Sequence, residues 1–229
     1  AEMDASAWAD LGFEQVYKSE NHYFATRDKR KIFAYKFAGP SPHTIILLHG
    51  VASSGFTNNQ TAGLLQQATQ AEVYALDLRG HGQSDGKAGD VNYIDQYADD
   101  LADVVSEIRK EKPDGKIIVA GHSMSGGVAL RYAMKNYKQK IDGYLLFAPL
   151  IGHDSPALPQ EAPADDDINA AFMQIHFARI IGLNMLNEIN DHGMDSLPVL
   201  FFNFPETMPL RNYSYRANKS MAPDHYADG

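Results

Sequence analysis

No cysteine occurs among the 229 residues, and that absence excludes disulfides, thiolate metal sites and a cysteine nucleophile. Long apolar runs are missing too. None approaches the roughly 20 residues a membrane-crossing helix needs, so an integral membrane protein is not expected, and the first residues do not read as a signal peptide. Positive charge is also scarce: 20 Lys and Arg against 29 Asp and Glu give a net charge of −9, with no basic stripe to offset it. Phosphates repel such a surface, so nucleic acid is not an expected partner. No internal repeat is visible. The chain opens on Ala1, and nothing in the sequence chooses between a cytoplasmic and a secreted or periplasmic location.

What is present is the composition of a soluble globular protein, 44% hydrophobic and 21% charged, with length for one large domain or somewhat more. The most informative stretch is Lys116 to Gly127, where Ile117-Ile118-Val119-Ala120 runs into Gly121-His122-Ser123-Met124-Ser125-Gly126-Gly127 and a helical pattern begins at once with Val128, Ala129, Leu130 and Tyr132. A strand, a sharp turn and a helix are expected. Small neighbours let strand and helix approach closely, and such a turn projects the Ser123 hydroxyl away from the sheet. The helix behind it aims free N–H groups, and the positive end of its dipole, at any oxyanion forming beside Ser123. The usual pattern is Gly-x-Ser-x-Gly; here Ser125 takes the last position, followed by Gly126 and Gly127, which leaves open both close packing through those glycines and a slightly wider turn.

Around this stretch the chain reads as alternating strand and helix. His22–Thr26 and Lys31–Phe37 are expected to form a hairpin across the charged turn Arg27-Asp28-Lys29-Arg30. The continuous apolar run Thr44–Leu48 suits a strand covered on both faces. A helix from about Gln60 to Thr69 and a strand at Glu72–Asp77 follow. Tyr97, Leu101, Val104, Val105 and Ile108 mark an amphipathic helix from about Ile94 to Lys110, whose acids Asp99, Asp100 and Asp103 are expected on the solvated face. Asp142–Ala148 is a further buried strand. This alternation implies a mostly parallel sheet with right-handed crossovers.

The character changes at Pro149. Residues 154–167 are proline-rich and acidic and read as a surface loop, with Asp165, Asp166 and Asp167 more suited to a helix start than to a metal site; no metal is expected. Ile168, Phe172, Ile175, Leu183, Leu186 and Ile189 share one helical face over Ile168–Asn190, with Met173, Phe177, Ile181 and Met185 beside it, more apolar surface than a one-sided helix needs. The expected organisation is a core at residues 1–151 and a helical cap or lid at 152–229.

Three loops fall at the carboxyl ends of parallel strands, where open α/β sheets place their sites: His49-Gly50-Val51, Asp77-Leu78-Arg79-Gly80-His81-Gly82-Gln83-Ser84, and Gly121-His122-Ser123-Met124-Ser125-Gly126-Gly127. Taken together they resemble the α/β-hydrolase superfamily, in particular its lysophospholipase and monoacylglycerol-lipase-like branch, over about residues 20–150. The resemblance implies an α/β-hydrolase fold, Ser123 as nucleophile, and the backbone N–H groups of Val51 and Met124 as the oxyanion hole. It implies no cofactor. His49, His81 and His122 are structural in such enzymes, and His153, His176, His192 and His225 in the cap region read as ordinary histidines rather than bases. In the family the acid and histidine of the triad follow two further strands, so both are expected beyond residue 229, together with the C-terminal strands of the fold. A second polypeptide is the expected source of the missing strands, acid and histidine. The expected reaction is hydrolysis of a carboxylic ester with an acyl chain, such as a lysophospholipid or monoacylglycerol. A small-ester carboxylesterase and a non-catalytic hydrolase-like binding subunit stand as alternatives.

Overall fold

A computed structural model describes residues 15–152, 173–206, 208 and 210–223. Its central sheet has six strands: β1 (Glu20–Ala25), β2 (Lys31–Phe37), β3 (Thr44–Leu48), β4 (Glu72–Leu76), β5 (Ile117–His122) and β6 (Gly143–Phe147), in the order β1-β2-β4-β3-β5-β6. The first hairpin pairs antiparallel, β2 pairs antiparallel with β4, and the remaining pairs are parallel. The fold is that of an α/β-hydrolase.

Every residue of β3 is buried, as its unbroken apolar run requires at the centre of a two-sided sheet. Strand alternation divides it between two cores. Ile46 and Leu48 join Tyr74, Leu76 and Val119 on one face, and Ile45 and Leu47 join Val73, Ala75 and Ala120 on the other. Helix α1 (Asn59–Thr69) covers the second face through Ala62. Helices α2 (Gln96–Glu111) and α3 (Met124–Met134) cover the first.

On α2 the expected apolar positions are buried, but its acids are not a uniformly solvated face. Asp103 and Asp99 meet Arg27 at the rim. Asp100 is buried, accepting from Arg79 Nε at 2.8 Å and Nη2 at 2.7 Å. An arginine in the 77–84 loop thus draws one acid inward, against the expectation from spacing alone.

The C-terminal part holds more than helix. Met173–Ile175 (β7), Pro198–Phe202 (β8) and Asn212–Ser214 (β9) form an antiparallel sheet, with α4 (Phe177–Glu188) and the short α5 (Tyr215–Ser220) beside it. The helix expected over Ile168–Asn190 is therefore corrected: it starts at Phe177, because Met173, Gln174 and Ile175 pair with Phe202, Phe201 and Leu200. Ile168, Phe172 and the acidic stretch 154–167 lie outside the described residues. Tyr213, Ala217 and Met221 pack into the same cluster as Leu78, Tyr97 and Val128. Buried Arg131 on α3 donates to the carbonyls of Lys219 at 2.6 Å and Ala222 at 2.8 Å and pairs with Asp95. At the far edge, among the described residues, no strand pairs with the outer side of β6, where Leu145 and Phe147 are exposed.

Candidate active site

Ser123 stands at the carboxyl end of β5 with φ 53° and ψ −117°, a conformation costly for a residue with a side chain. It persists because its peptide groups are fixed from several sides. The Ser123 N–H donates to Phe147 O at 3.0 Å, and the Ser123 carbonyl accepts from Gly126 at 3.0 Å and from Leu150 at 2.9 Å. Close packing behind the turn falls to two glycines. A Cβ on Gly126 would lie 2.6 Å from Pro149 Cβ, and one on Gly127 would lie 1.9 Å from the Met221 carbonyl. Ser125 is fully buried, and its hydroxyl donates to the His49 carbonyl. The departure from Gly-x-Ser-x-Gly thus does not loosen the turn; it ties the elbow to the His49-Gly50-Val51 loop.

That loop is held peptide by peptide. Ser125 fixes the His49 carbonyl. The Gly50 carbonyl lies 2.7 Å from His49 Nδ1, while His49 Nε2 accepts from Leu78 N–H at 3.0 Å, so Nδ1 carries the proton and donates. In a trans peptide the N–H points opposite the carbonyl, so turning Gly50 C=O toward His49 turns Val51 N–H away from it. The next N–H, Ala52, donates to the Tyr213 hydroxyl at 2.6 Å. Among the described residues the N–H groups of Val51 and Met124 have no hydrogen-bond partner. Met124 is the first residue of α3, where backbone N–H groups are free and the dipole favours negative charge.

The 77–84 loop is a scaffold for these elements. Buried Asp77 accepts from Gly55 N–H at 2.6 Å and Gln83 N–H at 2.7 Å, and burial pushes its carboxyl up against those bonds. Ser84 donates to Asp77 O at 2.6 Å and accepts from Phe33 N–H at 2.8 Å. Arg79 bridges Asp100 and Asp28. His81 donates from Nδ1 to Arg79 O at 2.9 Å and accepts at Nε2 from the Tyr213 hydroxyl at 2.9 Å. Burial holds His81 down at about 4 and His49 at about 3, the neighbouring His81 adding to the latter. Both rings are neutral at ordinary pH and have their nitrogens committed.

A family model described as serine aminopeptidase, S33, matches residues 39–183, which is more than half of the chain. The chain belongs to this family. Lipases and esterases are among the relatives that match part of it. It is 32% identical over 117 residues to a monoacylglycerol lipase of Mycolicibacterium smegmatis, a match covering 50% of this chain and 41% of that one. It is 26% identical over 146 residues to protein phosphatase methylesterase 1 of Mus musculus, covering 64% and 37%. The matched stretch spans well under half the length of each of these relatives. The α/β-hydrolase GrgF from Penicillium sp. sh18 superposes with a TM-score of 0.54 at 20% identity, over 80% of this chain and 58% of that one, which speaks for the fold.

In this serine aminopeptidase family member, no hydrogen bond joins the Ser123 hydroxyl to a histidine or carboxylate among the described residues. His122 is exposed beside the elbow. His192 is engaged with Asn187, Asn190 and Asp195, and His176 precedes α4 as its N-terminal cap residue. His153 and His225 lie outside the described residues. No group of three metal-ligating side chains occurs among the described residues, and no described helix is long and apolar enough to cross a membrane. Sequence reasoning missed Tyr213. Its partners, Ala52 and His81, stand 161 and 132 positions away, and Asn-Tyr-Ser-Tyr carries no local signal for such a contact.

Proposed function

We propose that Ser123 is the nucleophile of a serine ester hydrolase and that the Val51 and Met124 N–H groups form its oxyanion hole. The observation that carries this reading is the strained Ser123 backbone at the head of α3, together with the Val51 and Met124 N–H groups that have no hydrogen-bond partner among the described residues. Ser123 Oγ attacks the ester carbonyl carbon, the carbonyl π pair moves onto oxygen, and the N–H groups stabilise that oxyanion. Collapse expels the alcohol and leaves an acyl-serine. Water then attacks the acyl carbon, releasing the carboxylic acid and restoring Ser123.

A serine hydroxyl needs a base to act as nucleophile at neutral pH. His49 and His81 are committed elsewhere, so the base and its orienting acid come from outside the described residues. We assign them to a second polypeptide that also pairs with the open edge of β6. The division into a hydrolase core at residues 1–151 and a cap at 152–229 belongs to the same proposal. The substrate is a carboxylic ester with an acyl chain, lysophospholipid or monoacylglycerol in type. The lipase and methylesterase names of the relatives support ester chemistry.

The test is labelling with a fluorophosphonate in the full-length protein. The expected result is one adduct on Ser123, absent from Ser123→Ala. No adduct on the wild type would favour a non-catalytic binding role, since a serine without its base should not react appreciably. Native mass spectrometry of the same sample should release a second polypeptide on denaturation. Esters of short and long acyl chains then separate a carboxylesterase from a lipase-like enzyme.

A further inference from the structure

The hold on the His49-Gly50-Val51-Ala52 loop is unequal in origin. Ser125 and His49 belong to the elbow and to the loop itself, whereas Tyr213 arrives from β9, beyond the six-stranded sheet. Tyr213 is fully buried. Its ring lies 5.7 Å from that of His81 and 6.0 Å from that of Phe202. Its hydroxyl is used twice, accepting from Ala52 N–H and donating to His81 Nε2. The direction is fixed at the far end, since His81 Nδ1 donates to the Arg79 carbonyl and leaves Nε2 only a lone pair. Ala52 has φ 52°, a left-handed conformation that residues with a side chain adopt only at a cost. The peptide preceding it would relax without an external partner.

We propose that Tyr213 is a positioning residue: by holding Ala52 N–H it fixes the Val51–Ala52 peptide, and with the neighbouring Gly50–Val51 peptide held by His49 it keeps the loop that presents Val51 N–H in one conformation. This rests on the reading of Val51 N–H as an oxyanion donor. Freeing Ala52 N–H lets the Val51–Ala52 peptide rotate, and the strain at Ala52 drives it to do so. Tyr213 touches no reacting atom. The C-terminal segment that carries it is itself seated by the Met221 carbonyl over Gly127 and by Arg131, so the clamp forms only when that segment is docked.

The experiment replaces Tyr213 by Phe in the full-length protein, keeping the ring and removing the hydroxyl. The expected result is a fall in kcat for an ester substrate of about 10- to 100-fold, the order of loss a small misplacement of catalytic groups produces. KM should stay within about twofold, because a donor acting on the transition state is affected. Amide exchange at Ala52 should quicken while that of β3 does not change. Leu210→Ala, which removes packing from the same segment without touching the hydroxyl, should lower the melting temperature and leave kcat unchanged. Unchanged kcat and unchanged Ala52 exchange in Tyr213→Phe would overturn the proposal. If that variant does not fold, the wild-type exchange rate decides: an Ala52 amide as slow as those of β3 supports the clamp, and one as fast as an open loop overturns it. A wild type that neither turns over esters nor labels at Ser123 would defeat the assignment of the nucleophile. Wild-type turnover with an indifferent Tyr213→Phe would defeat the clamp alone.

Discussion

His81 is neutral because the fold surrounds it with His49, Tyr97 and Tyr213 and gives each ring nitrogen a partner. Its folded value of about 4 lies below the ordinary 6.5, so on acidification the unfolded chain takes up the proton first. The contribution to stability is fully present above 6.5 and is lost as pH falls toward 4. In that window one such histidine adds about 1.4 kcal/mol per pH unit to the slope of the unfolding free energy. Replacing His81 by Gln should reduce that slope by about one proton, as measured by urea unfolding at a series of pH values. An equal slope in both proteins would mean that His81 is already charged in the folded state. Ser125 illustrates what single residues hide from sequence reading. Its smallness was legible, and left both close packing and a wider turn open; its hydroxyl binds the His49 carbonyl 76 positions away, and no local pattern encodes that bond.

Helix α4 turns the usual arrangement of a surface helix around. Arg179 donates to the Pro198 carbonyl, Asn184 accepts from the Tyr215 hydroxyl at 2.5 Å, and Asn187 donates to Asp195 at 2.7 Å. Those polar groups face the protein beside Leu183, while Phe177, Ile181, Met185 and Ile189 are all more than 60% exposed. Leu183→Ala should therefore cost about 2–5 kcal/mol, whereas Ile181→Gln should change stability by no more than about 0.5 kcal/mol. Thermal unfolding of the two variants tests this, and a large loss for Ile181→Gln would mean that the outward face is covered. Elements of the central sheet were legible for a physical reason. The unbroken run of β3 and the single apolar stripe of α2 each suit only one environment. The segment after Pro149 has apolar residues on most sides, so its periodicity could not choose an inner face, and the pairing of Met173–Ile175 with β8 overrode helical spacing there.

The mostly parallel pairing of the sheet followed from alternating strand and helix, but the path of the last described residues did not. Nothing local announces that Tyr213, Ala217 and Met221 return to the core beneath α3. The Met221 carbonyl lies close against Gly127 at that return, where an added Cβ would stand 1.9 Å from it. Gly127→Ala forces the two backbones apart and should cost about 1–3 kcal/mol, as overpacking does. Limited proteolysis should then cut the 210–223 segment faster than in the wild type, and equal rates would show that the segment is held elsewhere. Tyr213 reaches back 161 positions to Ala52, and contacts of such sequence separation form late because the loop between them must first be closed. On the ribosome, the loop carrying Val51 emerges long before the tyrosine that clamps it. A nascent chain arrested short of Tyr213 can carry Ser123 and most of its sheet and yet lack the partner that holds Ala52 N–H.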